Sequence, residues 1–272
     1  MPIVADTHVH LYPCYRLETA LRMLATRLAV LAPGAAPGAI LAERAECHFF
    51  RDALQAHVPM ADSAVETCGP ESRRALRVRL GACPPFHLIP GRQVAAVEGI
   101  EILALTVDHP FSDGTPAREV ILAALEQGAI PVLSWAPGKW LGRREKVVSR
   151  LLAEFGPDKL LLGDTTLRPR GWGEPAAMRL AAAEGRAILA GSDPLPFAGE
   201  ERRLGAYATL AQGTMDDADP VGSVRQALLT ARGGRRVGAR GQPSEVLYRL
   251  IRNQLAAWGR GSSACAPTAW RT

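Results

Sequence analysis

Asp6, His8 and His10 stand at alternate positions behind the apolar run PIVA, in the stretch ADTHVHLYP at residues 5–13. Alternate residues of an extended chain point the same way, so a strand over 2–10 would project all three from one face. Two imidazoles side by side at the end of a buried strand suit zinc, manganese or iron. Far downstream, RAILAGSD (186–193) is a second apolar run that ends in a carboxylate, Asp193. His8, His10 and Asp193 suffice for one divalent ion with positions left open for water, and Glu43, His109 or Asp164 is available as a fourth ligand. Such an ion brings the pKa of its water near neutral and polarises a phosphoryl or carbonyl oxygen. Asp193 or Asp164 would accept the proton.

A second stretch with chemical content is APGKWLGRR at 136–144. Gly138 and Lys139 follow an apolar run and precede a predicted helix whose start carries Arg143, Arg144 and Lys146. Backbone N–H groups at a helix start, with fixed cations beside them, favour an anion. The stretch is not a P-loop, because Leu133 stands where that motif needs its first glycine. Lys139, with Arg44 or Arg143, would steady an anionic group. Trp135 would line the pocket, although packing is the commoner fate of a tryptophan. Glu43 and Arg44 also suit an ion pair across the mouth of the site, and Asp193 in Ser-Asp-Pro also suits a turn or helix cap.

The elements that must position these residues read as strands alternating with helices. Residues 16–32 and 46–57 have helical spacing, with a strand at 39–43 between them. From 63 to 108 the pattern changes to short alternating segments punctuated by Gly and Pro, a β-rich meander. Helices at 116–127, 143–155 and 174–185 then alternate with strands at 129–135, 159–164 and 186–193, and helices near 221–231 and 243–258 follow. Repeated strand–helix units with apolar strands predict a mainly parallel sheet buried by helices, closed as a (β/α)7-8 TIM-like barrel over residues 1–258. The polar residues then converge at strand ends: Glu98 and Glu101, Asp108 and His109, Trp135, Asp164, Ser192 and Asp193 beside the opening His pair. The tail 259–272 is expected to be disordered.

The order HxH, AER (42–44), GRQVAAVEGIEILAL, PVLSWAPGKW, LLLGD and AGSDPLPFAGEERRLGAY resembles the polymerase and histidinol phosphatase (PHP) superfamily over roughly residues 3–210. The resemblance implies a distorted (β/α)7 barrel that hydrolyses phosphoesters with two or three metal ions. It matches His8 and His10 to the opening metal-binding pair and Asp193 to the aspartate of the late motif. It places the stretch from Gln93 to Glu101 at a metal-bridging glutamate. Glu43-Arg44 stands for that family's Asp-His, Trp135 for a histidine, and Asp193-Pro194-Leu195 for Asp-Ala-His. TatD-type amidohydrolases, which share HxH and a late GSDxP, are the second resemblance. The function so implied is metal-dependent hydrolysis of a small phosphorylated or otherwise anionic substrate. The alternatives are a TatD-like amide or ester hydrolase and a non-catalytic barrel binding a metabolite or protein partner.

Composition bounds these readings. The 272 residues carry 47% hydrophobic residues and a net charge of +5. The arginine runs at 73–79, 142–144 and 233–240 are scattered, without the aromatic-interleaved basic module that would point to nucleic acid. No stretch long enough to cross a bilayer lacks charge, and no basic region precedes an apolar block at the N-terminus, so a cytoplasmic protein is expected. Five scattered cysteines with no CxxC pair fit reduced thiols better than a disulfide framework or a structural zinc site.

Overall fold

Leu17, Leu21, Leu24 and Leu28 recur at helical spacing and bury one stripe of the first helix, which Pro33-Gly34 follows. Each such leucine contributes roughly 1.5–3 kcal/mol by leaving water. The computed structural model describes residues 1–55, 63–231 and 234–258; the tail expected to be disordered lies outside them. In chain order the elements are β1 (Ile3–Val9), α1 (Leu17–Leu31), β2 (Ala36–Leu41), α2 (Phe49–Leu54), β3 (Ser63–Cys68), β4 (Ala75–Leu80), β5 (Phe86–Ile89), β6 (Gly91–Ala95) and β7 (Glu101–Leu105). Then follow α3 (Ala117–Glu126), β8 (Ile130–Ser134), α4 (Arg143–Glu154), β9 (Leu161–Thr165), α5 (Ala176–Ala183), β10 (Ile188–Gly191), β11 (Tyr207–Ala211), α6 (Pro220–Leu229), β12 (Arg235–Gly238) and α7 (Pro243–Trp258).

The expected closed barrel is not seen. Hydrogen bonding among the described residues organises the strands into two mixed sheets, one of seven strands in the order β12-β11-β1-β2-β5-β4-β3 and one of five, β10-β9-β8-β7-β6. Four ladders are parallel, β1/β2, β2/β5, β8/β9 and β9/β10, and the other six are antiparallel. The departure has two local causes. β6 and β7 are joined by the tight turn at 96–99, so β7 runs against its neighbours on both sides. β11 and β12, which the sequence reading does not anticipate, extend the sheet beyond β1, β11 antiparallel to β1 and β12 antiparallel to β11. The β-rich stretch from 63 to 108 is divided between the sheets, β3–β5 in the first and β6–β7 in the second.

The core has three layers. α1 covers one face of the seven-stranded sheet, packing on Val4, Leu41, Phe86 and Leu88. α3, α4 and α5 cover the five-stranded sheet over Ile102, Leu133 and Leu162. Between these lies a cluster drawn from both sheets, including Ile3, Ala5, Ile40, Leu103, Val132, Leu161 and Leu189, with Val221 and Val224 of α6 against it. Every strand near the site thus has a face toward the other sheet and a face toward helices, and residue parity decides which side chain goes where.

Two glycines mark the closest approaches of the sheets. A Cβ on Gly191 would lie 2.3 Å from the Cβ of His8, and one on Gly91 would lie 2.3 Å from the Leu41 carbonyl oxygen. Only a residue without a side chain lets backbone pass at that distance. Cys68 and Cys83 are free thiols. Among the described residues no helix is long and apolar enough to cross a membrane.

Candidate metal centre

β1 begins by alternating. Ile3 and Ala5 face the layer between the sheets, and Val4 faces the helix layer. Its register against β2 then shifts between Asp6 and Val9. Val9 consequently packs with Val4, and His8 and His10 take the inner side. Asp6 is therefore parted from the two histidines it was expected to accompany. Its carboxylate accepts from the backbone N–H of His8 at 3.2 Å, Ser192 at 2.8 Å and Gly205 at 2.9 Å. It ties the end of β1 to the loop after β10, and its complete burial raises its pKa to about 6.

That loop brings Asp193 to the histidines. The Asp193 backbone N–H donates to the His8 carbonyl at 2.9 Å, and Thr7 Oγ1 donates to the Ala190 carbonyl at 3.1 Å. Asp193 sits at φ +46°, a left-handed conformation unusual for a residue with a side chain. The result is a compact triangle. His8 Nε2 lies 3.1 Å from His10 Nε2 and 3.5 Å from Asp193 Oδ1, and His10 Nε2 lies 3.6 Å from the same oxygen. Ligand atoms about 2.0–2.1 Å from a tetrahedral ion stand roughly 3.3 Å from one another, so the triangle has the size of a ligand set around one cation. Among the described residues these three form the group of ligating side chains that could hold a metal.

The surroundings are suited to that use. Ser134 Oγ lies 3.3 Å from His8 Nδ1. If Nδ1 carries the proton and donates to Ser134, Nε2 is left as a lone pair for a ligand bond. Gln93 Oε1 is 2.9 Å from His8 Nε2, adding a neutral oxygen to the cluster. His10 is held well below the usual imidazole range by burial first, and then by the neighbouring His8 and Arg44, so it stays neutral and able to ligate. Its ring stacks on Tyr12 at a centroid distance of 5.2 Å.

His10, Asp193 and Gln93 line a cavity of about 420 Å³ together with Arg44, Lys139, Glu101, Leu195, Leu250 and Asn253. Lys139 Nζ pairs with Glu101 at 3.5 Å.

Other residues singled out from sequence go elsewhere. Glu43 shares the helix-facing parity of Leu41, and its carboxylate accepts from Arg92 at 3.1 Å and from the Phe50 N–H at 2.9 Å. Its burial raises its pKa to about 8. Asp164, on the same strand face as Leu162, is saturated by Arg168, by Tyr207 Oη at 2.9 Å and by Arg236 at 3.0 Å. Trp135 packs in the helix-covered core beside Leu133, not against the cavity. Arg143 is exposed at the start of α4, and His109 lines a different cavity with Asp108. The structure thus gathers His8, His10, Asp193, Arg44 and Lys139 and leaves Glu43, Asp164, Trp135 and Arg143 outside. Ser134 and Asn253 were not anticipated, and Gln93 was implicated only as part of a longer stretch.

Comparison with known proteins gives a relation at the level of fold. No family model matches the sequence, and no curated protein matches it. The solved structure of PsfC from Pseudomonas syringae PB-5123 is similar with a TM-score of 0.57 and 14% identity over 94% of this chain and 99% of that one. The lesion-specific endonuclease PfuEndoQ from Pyrococcus furiosus is similar with a TM-score of 0.51 and 14% identity, covering 87% of this chain and 58% of that one. Endonuclease Q in complex with a 27-mer duplex substrate carrying an abasic lesion at the active site gives a TM-score of 0.51 at 14% identity, over 86% and 58%.

Proposed function

We propose that this chain is a metal-dependent hydrolase of the PHP type, holding a divalent zinc, manganese or iron ion on His8, His10 and Asp193. The observation that carries the reading is the triangle of 3.1, 3.5 and 3.6 Å formed by the three ligand atoms. The fold shared with an endonuclease supports hydrolysis in general terms. When bound, the ion supplies a Lewis acid and a water acidified to near neutrality. The remaining work falls to the protein. Asp193, through its second carboxylate oxygen, holds the proton released from that water. Lys139 and Arg44 on the cavity wall orient a small phosphorylated or otherwise anionic substrate and offset its charge. Leu195 and Leu250 give the cavity an apolar side that limits water.

The test is to dialyse the full chain against zinc or manganese, measure bound metal, and assay a panel of phosphomonoesters, phosphodiesters and amides. One ion per chain and hydrolysis that both disappear in His8→Ala and Asp193→Asn support the proposal. Hydrolysis that survives chelation, or that His8→Ala leaves intact, contradicts it. A second reading, a metabolite-binding protein without turnover, draws on the cations at the cavity. Arg44 occupies the inner parity where the PHP resemblance places a histidine, and it suits binding of an anion better than a second metal. An intact metal site with no turnover on any ester or amide would favour that reading.

A further inference from the structure

The basic run at 233–240 takes no part in the site above. One of its three arginines is neutralised: Arg236 on β12 pairs with Asp164 at 3.0 Å and also with Glu174. At the end of β12 the chain turns at Gly238, with φ +89°, where a Cβ would lie 2.2 Å from the Ala206 carbonyl oxygen. The loop is pinned by Ala239 N–H to the Ala206 carbonyl at 2.9 Å, Gly241 N–H to that of Thr166 at 3.0 Å, and Arg170 N–H to that of Gly241 at 2.8 Å. It holds Arg240 at the rim of a cavity of about 400 Å³ whose other charged lining residues are Arg27, Arg170, Arg203 and Glu245. Among the described residues, none lines both this cavity and the one beside the His pair.

The charge balance here is uneven. The single carboxylate among the described lining residues, Glu245, is taken by Arg203 at 2.5 Å. Among the described residues, Arg27, Arg170 and Arg240 make no ion pair with a carboxylate. Two of the three are fixed in place by backbone carbonyls, Arg240 by Trp172 at 3.2 Å and Arg27 by Leu204 at 3.2 Å and by Arg202. Burial and the proximity of Arg203 press on the Arg27 charge, and burial and Arg168 press on that of Arg240. Uncompensated guanidinium groups around one concavity repel each other until an anion enters, and the planar fork of arginine matches phosphate oxygens two at a time.

We infer that this cavity binds a phosphate group, either free phosphate or the terminal group of a small phosphorylated molecule, at a site separate from the His8–His10–Asp193 centre. The test is calorimetric titration of the chelator-treated full chain with inorganic phosphate and, in parallel, with glycerol 3-phosphate. Arg170→Gln and Arg240→Gln should each weaken binding about tenfold or more, the loss of one charge-assisted contact. Arg240→Lys should fall between Arg240→Gln and the parent, and the binding lost in Arg170→Gln and Arg240→Gln should persist in Arg44→Gln and Lys139→Gln, which remove only binding at the cavity beside the His pair. Tighter binding of the ester assigns the terminal group, and equal binding assigns free phosphate. Arg170 is exposed, so its variant keeps the fold, which an unchanged melting temperature will show. The inference is overturned if Arg170→Gln and Arg240→Gln bind as the parent does. It is equally overturned if only Arg44→Gln or Lys139→Gln weakens binding, or if affinity is found only for a duplex oligonucleotide and collapses steeply with salt.

Discussion

Ser134 does not line the cavity, yet it is a determinant of metal affinity. Its Oγ lies 3.3 Å from His8 Nδ1, where accepting the Nδ1 proton would leave Nε2 free for the ion. Ser134→Ala should weaken metal binding by about 10–100-fold without changing the fold, as loss of a ligand's outer hydrogen bond generally does. Competition with a chromophoric chelator measures this, and an unchanged affinity would remove Ser134 from the site. Asp6 gives a prediction in pH. Its pKa rises from 3.8 to about 6 on folding, so between those values the folded chain binds more protons than the unfolded one. Stability contributed by the protonated carboxyl is present below about pH 4 and is lost as pH rises to about 6, a change on the order of 3 kcal/mol. Denaturant titrations of parent and Asp6→Asn at pH 4, 5, 6 and 7 should show a difference that varies across this window and is flat above it. A difference that is constant from pH 4 to 7 would contradict the burial argument.

At the scale of the element, strand parity sorts the site, and it explains what was legible beforehand. His8, His10 and Asp193 could be found because imidazole pairs and a strand-end aspartate are chemically distinctive. Glu43 and Asp164 look equally suitable in the sequence, because an acid at a strand end reads the same whether it faces a cavity or a buried arginine. The partner of Glu43, Arg92, is 49 positions away, and of the partners of Asp164 only Arg168 is near, four positions on, while Tyr207 and Arg236 are 43 and 72 away. Counting by twos from the core separates them: Val132 and Ser134 face inward and Leu133 and Trp135 outward, while Leu161 faces inward and Leu162 and Asp164 outward. The shift in β1 is harder to foresee, since nothing in ADTHVH signals the change of register that parts Asp6 from His8. The approach of β10 to β1 is the tightest requirement. Gly191→Ala would push a methyl group to 2.3 Å from the Cβ of His8, so it should destabilise the fold by about 3 kcal/mol or more and weaken metal binding along with it. A Gly191→Ala protein with parental melting temperature and metal affinity would show that this contact is not tight.

Over the whole molecule, alternating strands and helices were legible, while closure into a barrel was not. Helical spacing at 16–32, 116–127 and 143–155 finds α1, α3 and α4 nearly to the residue, because those patterns are local. Strand direction is not local. The tight turn before β7 and the unanticipated β11 and β12 produce two mixed sheets around one inner layer. Because that layer draws on both sheets, the molecule should unfold as one unit. Leu103→Ala, in the middle of it, should cost about 2–5 kcal/mol and still give a single transition by both fluorescence and circular dichroism. Two separate transitions would mean that the sheets are independent. The central claim is that this fold brings three side chains, two from its first strand and one following a late strand, onto one cation. Anomalous scattering at the zinc or manganese edge, from crystals of the parent and of His8→Ala grown with the metal, tests it most directly. The account predicts a peak about 2.0–2.2 Å from His8 Nε2, His10 Nε2 and Asp193 Oδ1 in the parent, absent in the variant. No peak at that triangle, or one that persists without His8, would contradict it.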